Sequence, residues 1–377
     1  MKQTNKNHYD ILIAGAGFAG SLSALVLHNL GFKVCLIKKG KHPRFTIGES
    51  STPVADMILR DLSIKYNLPW LHDFSRYGSW QKSHPEIVCG IKRGFSYFKH
   101  YPGKDFATDE NHKDELLVAA SSSDIQSGTN WPRADFDAFL VTKVKEYGID
   151  YFDVSEIITA KKNAALESDV SLLNERSLIH VSFFIDATGS GSLLEKLLGI
   201  RTSADEYLTN SFAIFSHFTH VPRWTDMLEQ AGIPTYDFPY NPDHSALHQI
   251  LDEGWLWMLR FNDERFSLGF VLDCKYEFYK KLPTERIWND LLKKYPSVNY
   301  IIRDASLASH LGKLSGQKGC KERYRIASDR GGWLFRIRLD LWIRCLVQAL
   351  LTRFQVWKKL SNHQSVLGRR RIATAKL

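Results

Sequence analysis

The stretch that decides the fold is Tyr9-Asp10-Ile11-Leu12-Ile13-Ala14-Gly15-Ala16-Gly17-Phe18-Ala19-Gly20, followed by an apolar-periodic run over residues 21–30. An apolar strand, a G-x-G-x-x-G turn and a helix start, in that order, are typical of the first unit of a Rossmann-type dinucleotide-binding domain. The glycines permit a tight turn, and the helix N-terminus presents unpaired N–H groups to a pyrophosphate. We therefore predict that Gly15, Gly17, Phe18, Ala19 and Gly20 bind a dinucleotide; a glycine-rich turn without a ligand is the alternative.

Composition is consistent with a chain of two domains in a reducing cytoplasm. The chain has 377 residues, of which 44% are hydrophobic and 24% are charged, enough for a large core. No apolar run is long enough to span a bilayer. The five cysteines are scattered without metal-ligand spacing, which favours a reducing cytoplasm and predicts neither a disulfide framework nor a metal site.

The end of the second predicted strand departs from the dinucleotide pattern. Rossmann domains usually place an acidic residue there, which accepts hydrogen bonds from the adenosine ribose. This chain has Lys38, followed by Lys39. A cation at this position would favour a 2′-phosphate or mark a damaged FAD site, and a solvated lysine pair is the plain alternative. We include Lys38 among the predicted cofactor-binding residues.

A second motif follows shortly after that strand. Residues 42–53 read His-Pro-Arg-Phe-Thr-Ile-Gly-Glu-Ser-Ser-Thr-Pro. This R-x-x-x-G-E-S-x-x-P pattern resembles the flavin-dependent halogenases and their class A FAD monooxygenase relatives. The resemblance implies that five residues lie against the flavin: Arg44, Gly48, Glu49, Ser50 and Ser51.

Two further motifs follow in the order of that family. Arg133-Ala134-Asp135-Phe136-Asp137 resembles its R-x-x-F-D element, and Asp186-Ala187-Thr188-Gly189 resembles its D-A-[ST]-G segment. The resemblance covers residues 9–309 and implies FAD as the cofactor, with Arg133, Asp186 and Gly189 at its site.

The implied fold class is α/β, similar to glutathione reductase and p-hydroxybenzoate hydroxylase. A doubly wound, Rossmann-type FAD domain would carry a substrate domain made of a mixed β-sheet and helices. We assign residues 1–60, 130–205 and 300–329 to the FAD domain, and residues 61–129 and 206–299 to the substrate domain.

Lys92 is the predicted catalytic residue. Residues 90–98 read Gly-Ile-Lys-Arg-Gly-Phe-Ser-Tyr-Phe and resemble the halogenase K-x-G-x-x-F stretch. The resemblance implies that the lysine directs hypohalous acid to the substrate. A desolvated ammonium group can orient a neutral oxidant and can titrate near neutral pH. An exposed charge at a strand end is the alternative.

Trp255 and Trp257 are predicted on one face of a strand, because they are two residues apart. Their spacing resembles the family's W-x-W-x-I-P motif, which implies a place near the flavin that keeps organic substrate away from it. Leu259 and Arg260 replace the isoleucine and the proline of that motif. A pair of core aromatic residues is the alternative. The histidines His217, His220 and His248 lack metal-ligand spacing and are interpreted as structural.

The motifs together predict an FADH2- and O2-dependent halogenase of an electron-rich aromatic substrate. Its partners would be that small molecule, a halide ion and a flavin reductase, although NAD(P)H could reduce the flavin instead. An FAD-dependent aromatic hydroxylase is the close alternative, and an isoprenoid double-bond reductase is a third. A fourth is a non-catalytic remnant that contacts a membrane through a basic tail.

The positive charge of the chain lies in its last 48 residues. Residues 330–377 contain eleven Lys or Arg and one acid, which gives this tail a charge of +10. Because the net charge of the whole chain is +9, the remaining residues sum to −1. The nearly neutral body gives no indication of nucleic-acid binding. At face value the tail could dock on anionic lipid, and membrane contact is expected only if it is genuine.

An out-of-frame tail explains the same residues differently. Shifting the frame by two bases allows residues 333–359 to read A-L-P-H-T-A-G-F-V-D-P-L-F-S-T-G-I-A-H-T-L-S-G-V-E-K. That string contains the G-F-V-D-P-L-F-S-[ST]-G-I-A-H motif which the family presents at this point. We therefore expect a frameshift near residues 330–332, a truncated flavin site and uncertain activity for the chain as written.

Overall fold

The computed structural model describes residues 8–162, 168–172, 178–189, 193–198, 211–308, 314–318, 326–329 and 332–336. The chain divides into two compact units, Met1–Arg338 and Leu339–Leu377. The second unit lies outside the described residues, so the architecture below is that of the first.

Helices and strands alternate over the first part of the chain, and strands dominate later. The helices are α1 Phe18–Asn29, α2 Pro53–Lys65, α3 Tyr77–Ser83, α4 Arg133–Glu146, α5 Leu193–Leu198, α6 Trp224–Gln230, α7 Thr284–Lys294 and α8 Pro296–Ile302. The strands are β1 His8–Ala14, β2 Val34–Ile37, β3 Gly90–Lys92, β4 Gly94–Lys99, β5 Glu115–Ala119, β6 Gly128–Asn130, β7 Asp150–Phe152, β8 Ile157–Lys162, β9 Ser168–Leu172, β10 Ile179–Asp186, β11 Ser211–Thr219, β12 Ala246–Leu251, β13 Gly254–Arg260, β14 Phe266–Asp273, β15 Ser306–Leu307, β16 Ser315–Lys318, β17 Ile326–Asp329 and β18 Gly332–Arg336. Short 3-10 helices cover Pro69–Ser75, Pro242–His244 and Tyr279–Lys281.

The first sheet is built around parallel strands, in the order β17-β18-β10-β1-β2-β7. Strand β1 pairs in parallel with both β2 and β10, which brings Ala14 opposite Ile37 and Asp186. Their carboxyl ends therefore meet at one edge, where open α/β sheets bind ligands. This arrangement confirms the α/β class and the strand–turn–helix unit predicted from residues 9–30.

The second sheet is mixed, in the order β15-β11-β14-β13-β12-β4-β5. One face of it carries an extensive hydrophobic core, in which Phe270 and Phe218 pack on Trp288 of α7 with ring centroids 4.9 and 5.3 Å apart, respectively. Phe212 and Ile214 point into the same core, because residues two apart on a strand share one face. The opposite face carries Phe215 and Trp257, which pack against residues 45 and 47 of the loop after β2.

The helix α4 packs beside α1, and its sequence explains its burial. Phe136, Leu140 and Val144 recur every four residues and are fully buried. Phe136 packs on Phe18 at the start of α1, with ring centroids 5.7 Å apart. The first turn of α4 is thereby held beside the first turn of α1.

The last described strand begins two residues into the segment that we expect to be out of frame. Strand β18 pairs in parallel with β10, placing Leu334 opposite Phe184. The rest of that segment, residues 337–377, lies outside the described residues. No helix of the described part is long and apolar enough to cross a bilayer.

Candidate functional site

The turn after β1 needs glycine at two positions. Gly15 has a φ of +105°, and a Cβ atom there would lie 2.4 Å from the carbonyl oxygen of Ala187. A Cβ atom on Gly20 would lie 1.7 Å from the carbonyl oxygen of Gly15. Only glycine fits either position, because real Cβ contacts of this length do not occur. The turn thus packs closely against the segment that follows β10.

Gly17 opens the turn toward a group of charged side chains. It is the residue before α1, whose first turn contains no acidic residue. A Cβ atom on Gly17 would lie 3.1 Å from Nη2 of Arg44, 3.5 Å from Oδ2 of Asp137 and 3.7 Å from Nη2 of Arg133. The free N–H groups of α1 and two guanidinium groups therefore face the same space, which suits an anion.

One buried carboxylate holds both arginines. Arg133 donates from Nε and Nη2 to the two oxygens of Asp137, each at 3.0 Å, and Nη2 of Arg44 lies 3.6 Å from the same carboxylate. Asp137 is fully buried, whereas Nε of Arg44 is buried without a hydrogen-bond partner. Two cations on one anion leave net positive charge for a ligand. Asp137 was not among the predicted site residues, although its four-residue spacing from Arg133 could have revealed it.

Lys38 adds a third cation to this group. Lys38 directly follows β2 and is half-buried. It therefore does not belong to a solvated pair of lysines, which was the alternative interpretation. Burial and, to a lesser extent, the charge of Arg44 lower the pKa of Lys38 to about 8, against the opposite effect of Asp137. Lys39 differs, since it is exposed and pairs with Glu156 at 2.6 Å.

Glu49 points away from this charged group. Its carboxylate lies 3.0 and 3.1 Å from Nε2 of His217 on β11, and both side chains are almost completely buried. The backbone N–H of Arg133 also donates to Glu49, at 3.4 Å. Glu49 thus joins the loop after β2 to the second sheet. His217 was interpreted as structural, and this contact fits that interpretation.

The neighbours of Glu49 contact two separate groups of charged side chains, which we call the two compartments of the site. Gly48 has a φ of +93°, and its carbonyl accepts a hydrogen bond from Nη1 of Arg133 at 3.4 Å. Ser50 is exposed and bridges to Asn130. Ser51 is buried, and its carbonyl accepts a hydrogen bond from Nζ of Lys92. The arginines therefore contact one end of residues 48–51 and Lys92 the other.

Lys92 is buried, contrary to the alternative of an exposed strand-end charge. Its side chain is 4% exposed, and Nζ lies 4.0 Å from the ring centroid of Phe95. Burial lowers the pKa of Lys92 to about 8, although the charge of Asp56 raises it. The ammonium and amine forms can therefore both be populated near neutral pH.

Asp56 faces the same cavity as Lys92 and was missed by the sequence reasoning. The cavity has a volume of about 200 Å³ and is also lined by Ser51, Arg60 and Arg76. Burial raises the pKa of Asp56 to about 7, against the opposite effect of Lys92 and a hydrogen bond from Ser51. Its Oδ1 atom is buried without a hydrogen-bond partner. Asp56 lies three residues after Pro53 in the first turn of α2, and nothing in this local sequence indicates that it faces Lys92.

The two tryptophans share one face of β13, as predicted, but differ in their surroundings. Trp257 covers Gly269, donates from Nε1 to Ser267 at 3.1 Å and packs against Phe215. Trp255 is 38% exposed. No contact among the described residues joins either tryptophan to Lys92. Their predicted place near a flavin stays a prediction.

Asp186 and Gly189 shape the turn beside Gly15. The carboxylate of Asp186 is fully buried and accepts bonds from the N–H and hydroxyl of Thr188, at 2.9 and 2.6 Å. Gly189 has a φ of +63°. These residues position the turn rather than presenting a free carboxylate. Among the described residues no group of histidine, cysteine and carboxylate side chains could hold a metal ion.

Comparison with known proteins finds that this chain is similar to halogenases. The family model for tryptophan halogenase matches residues 10–72. Monodechloroaminopyrrolnitrin halogenase PrnC of Pseudomonas fluorescens is 25% identical over 310 residues, which are 80% of this chain and 52% of that protein. Tetracycline 7-halogenase of Kitasatospora aureofaciens is 24% identical over 344 residues, covering 86% and 59%.

The structural comparison agrees. The crystal structure of halogenase PltM in complex with phloroglucinol and FAD superposes with a TM-score of 0.72 and 28% identity, over 82% of this chain and 60% of that one. The flavin-dependent halogenase CmlS shares the fold, with a TM-score of 0.60 and 19% identity. The chain thus spans about half to three fifths of the length of these relatives.

Proposed function

We propose that this chain, a relative of the flavin-dependent halogenases, binds FAD and carries the core of an enzyme that halogenates an aromatic substrate. The observation that carries the proposal is the pair of compartments on either side of residues 48–51. One holds the arginines and the N-terminus of α1, and the other holds the buried Lys92.

The first compartment fits the pyrophosphate of FAD. Gly17 leaves the space that a Cβ atom would fill, and Nε of Arg44 is buried without a partner. Lys38, Arg44 and Arg133 outnumber the single carboxylate of Asp137 by two charges, which matches the two negative charges of a pyrophosphate. We infer that these residues hold the phosphates.

The second compartment would hold the substrate. Reduced FAD with O2 and halide supplies hypohalous acid when the cofactor is bound, and a separate reductase would supply reduced flavin. The ammonium group of Lys92 donates a hydrogen bond to that neutral oxidant, in a site where burial strengthens the interaction. Asp56, with a pKa of about 7, is placed to accept the proton that the aromatic ring releases on substitution.

The test is a reconstitution of the protein encoded by the frame-corrected gene with FAD, a flavin reductase and its NAD(P)H, O2, an electron-rich one-ring phenol and either chloride or bromide. We expect a product whose mass increases by the halogen supplied, and no product from Lys92→Met that still binds FAD. The variant Lys39→Met is the matched control, because Lys39 is exposed and paired with Glu156. A product that gains oxygen without halide would replace halogenation by aromatic hydroxylation.

The tail requires a separate test, because residues 337–377 lie outside the described residues. We propose that residues 330–377 are out of frame, supported by the family motif readable in the shifted frame. Resequencing the coding DNA over codons 327–359 should reveal an inserted or deleted base. An unambiguous match to the written frame contradicts the proposal.

A further inference from the structure

The cavity beside Lys92 contains more positive charge than its own residues neutralise. Arg60 of α2 and Arg76 at the start of α3 line it together with Lys92, and Asp56 is the one carboxyl group in its wall. Both arginines are half-buried, so their charges are only partly solvated.

The two guanidinium groups are available to a ligand. Within the part of the chain that the structure describes, neither makes a side-chain hydrogen bond or an ion pair, and their interaction is with the charge of Asp56. Arg133, by contrast, donates hydrogen bonds to both carboxylate oxygens of Asp137. A planar guanidinium without a partner is preorganised for bidentate binding of a carboxylate.

The size and walls of the cavity restrict what the ligand can be. Its volume of about 200 Å³ is below the ~300–1,000 Å³ of pockets for drug-sized ligands, so one ring fits better than several. Pro53, Met57 and Phe95 supply apolar and aromatic surface beside the charged groups. A small ring with one anionic substituent satisfies both kinds of wall.

We propose that Arg60 and Arg76 form a carboxylate subsite that selects one-ring aromatic acids and orients their ring toward Lys92. The orientation for reaction rests on the proposed function, whereas the binding preference does not. The subsite lies on the Lys92 side of residues 48–51, so the phosphate-binding residues are not part of it.

Asp56 gives the subsite a dependence on pH. It faces Arg60, Arg76 and Lys92, and its carboxyl group has a pKa of about 7. An anionic ligand repels the ionised form of Asp56, so binding should be accompanied by proton uptake. Affinity for an aromatic carboxylate should therefore rise as the pH falls from 8 to 6, and protonation of Lys92, whose pKa is about 8, acts in the same direction.

The experiment compares two probes of the same shape, 4-hydroxybenzoate and 4-hydroxybenzamide, by calorimetry in halide-free buffer. We expect the acid to bind about tenfold to a hundredfold more tightly, which is the usual effect of charge-assisted hydrogen bonds. Arg60→Met and Arg76→Met should each remove most of that preference without changing the affinity for the amide. Arg286→Met is the matched control, since Arg286 is exposed on α7 and pairs with Asp290 at 2.8 Å.

Two results overturn the inference. One is equal binding of acid and amide by the unmodified protein, which needs no variant to fold. The other is displacement of the acid by chloride at comparable concentration, which would make the subsite a halide site. FAD affinity is measured on every sample. Absence of FAD binding by the frame-corrected protein, together with a retained acid preference, would refute the proposed function and leave the subsite intact.

Discussion

Replacing Lys92 by methionine should change the pH dependence of stability by an amount that follows from its burial. The pKa of Lys92 falls from 10.5 to about 8 on folding, mainly because the ammonium group is desolvated. The unfolded chain therefore binds more protons than the folded protein between pH 8 and 10.5, and the free energy of unfolding rises with pH across that range. The whole difference amounts to about 3 kcal/mol, of which about 2 kcal/mol is recovered between pH 7 and pH 9.5.

The assay is urea denaturation at pH 7 and pH 9.5. The unmodified protein should gain about 2 kcal/mol more than Lys92→Met over this interval, because the variant has no ammonium group to bury. The lost hydrogen bond to Ser51 affects the variant at both pH values and cancels in the comparison. Lys39→Met, at a position whose side chain is 74% exposed, should behave like the unmodified protein. An equal gain in Lys92→Met would refute the claim that this lysine is buried in its charged form at pH 7.

Substitutions at three further positions test other parts of the site. Gly15→Ala should weaken FAD binding at least tenfold, measured by flavin fluorescence, because its Cβ atom would collide with Ala187; unchanged affinity contradicts the geometry of the turn. Glu49→Ala should lower the free energy of unfolding by about 3 kcal/mol, and Glu49→Gln by about 1 kcal/mol, because glutamine keeps an acceptor for His217. Equal losses in the two variants would show that the hydrogen bond between Glu49 and His217 does not determine the change in the free energy of unfolding. Asp56→Asn should remove the rise in turnover through pH 7 that is expected as the carboxylate forms, and a retained rise assigns that proton to another group.

Much of the fold followed from local sequence patterns. The order of strand, G-x-G-x-x-G and helix over residues 9–30 requires one backbone path, since only glycine fits at Gly15 and Gly20. The strand and helix predicted over residues 9–30 match β1 and α1, and the predicted strand that carries Trp255 and Trp257 is β13.

The partners of the site residues did not follow from those patterns. The place of Glu49 and Asp186 at the cofactor stays a prediction, but no local pattern indicated that Glu49 bonds His217, 168 positions further on, or that Asp186 accepts hydrogen bonds from its own turn. Lys92 gave no sign of its burial, because a three-residue strand carries too little periodicity to show which side chains point inward.

The sequence by itself therefore determined the class of fold, the family that it resembles and the position of the phosphate-binding turn, because glycine requirements and apolar periodicity are local properties of the backbone. Only the tertiary structure decided that Lys92 and Asp56 share one cavity with two unpaired arginines. Such a cavity forms where α2, α3 and β3 meet, and the pKa of each group within it depends on burial by residues distant in the chain.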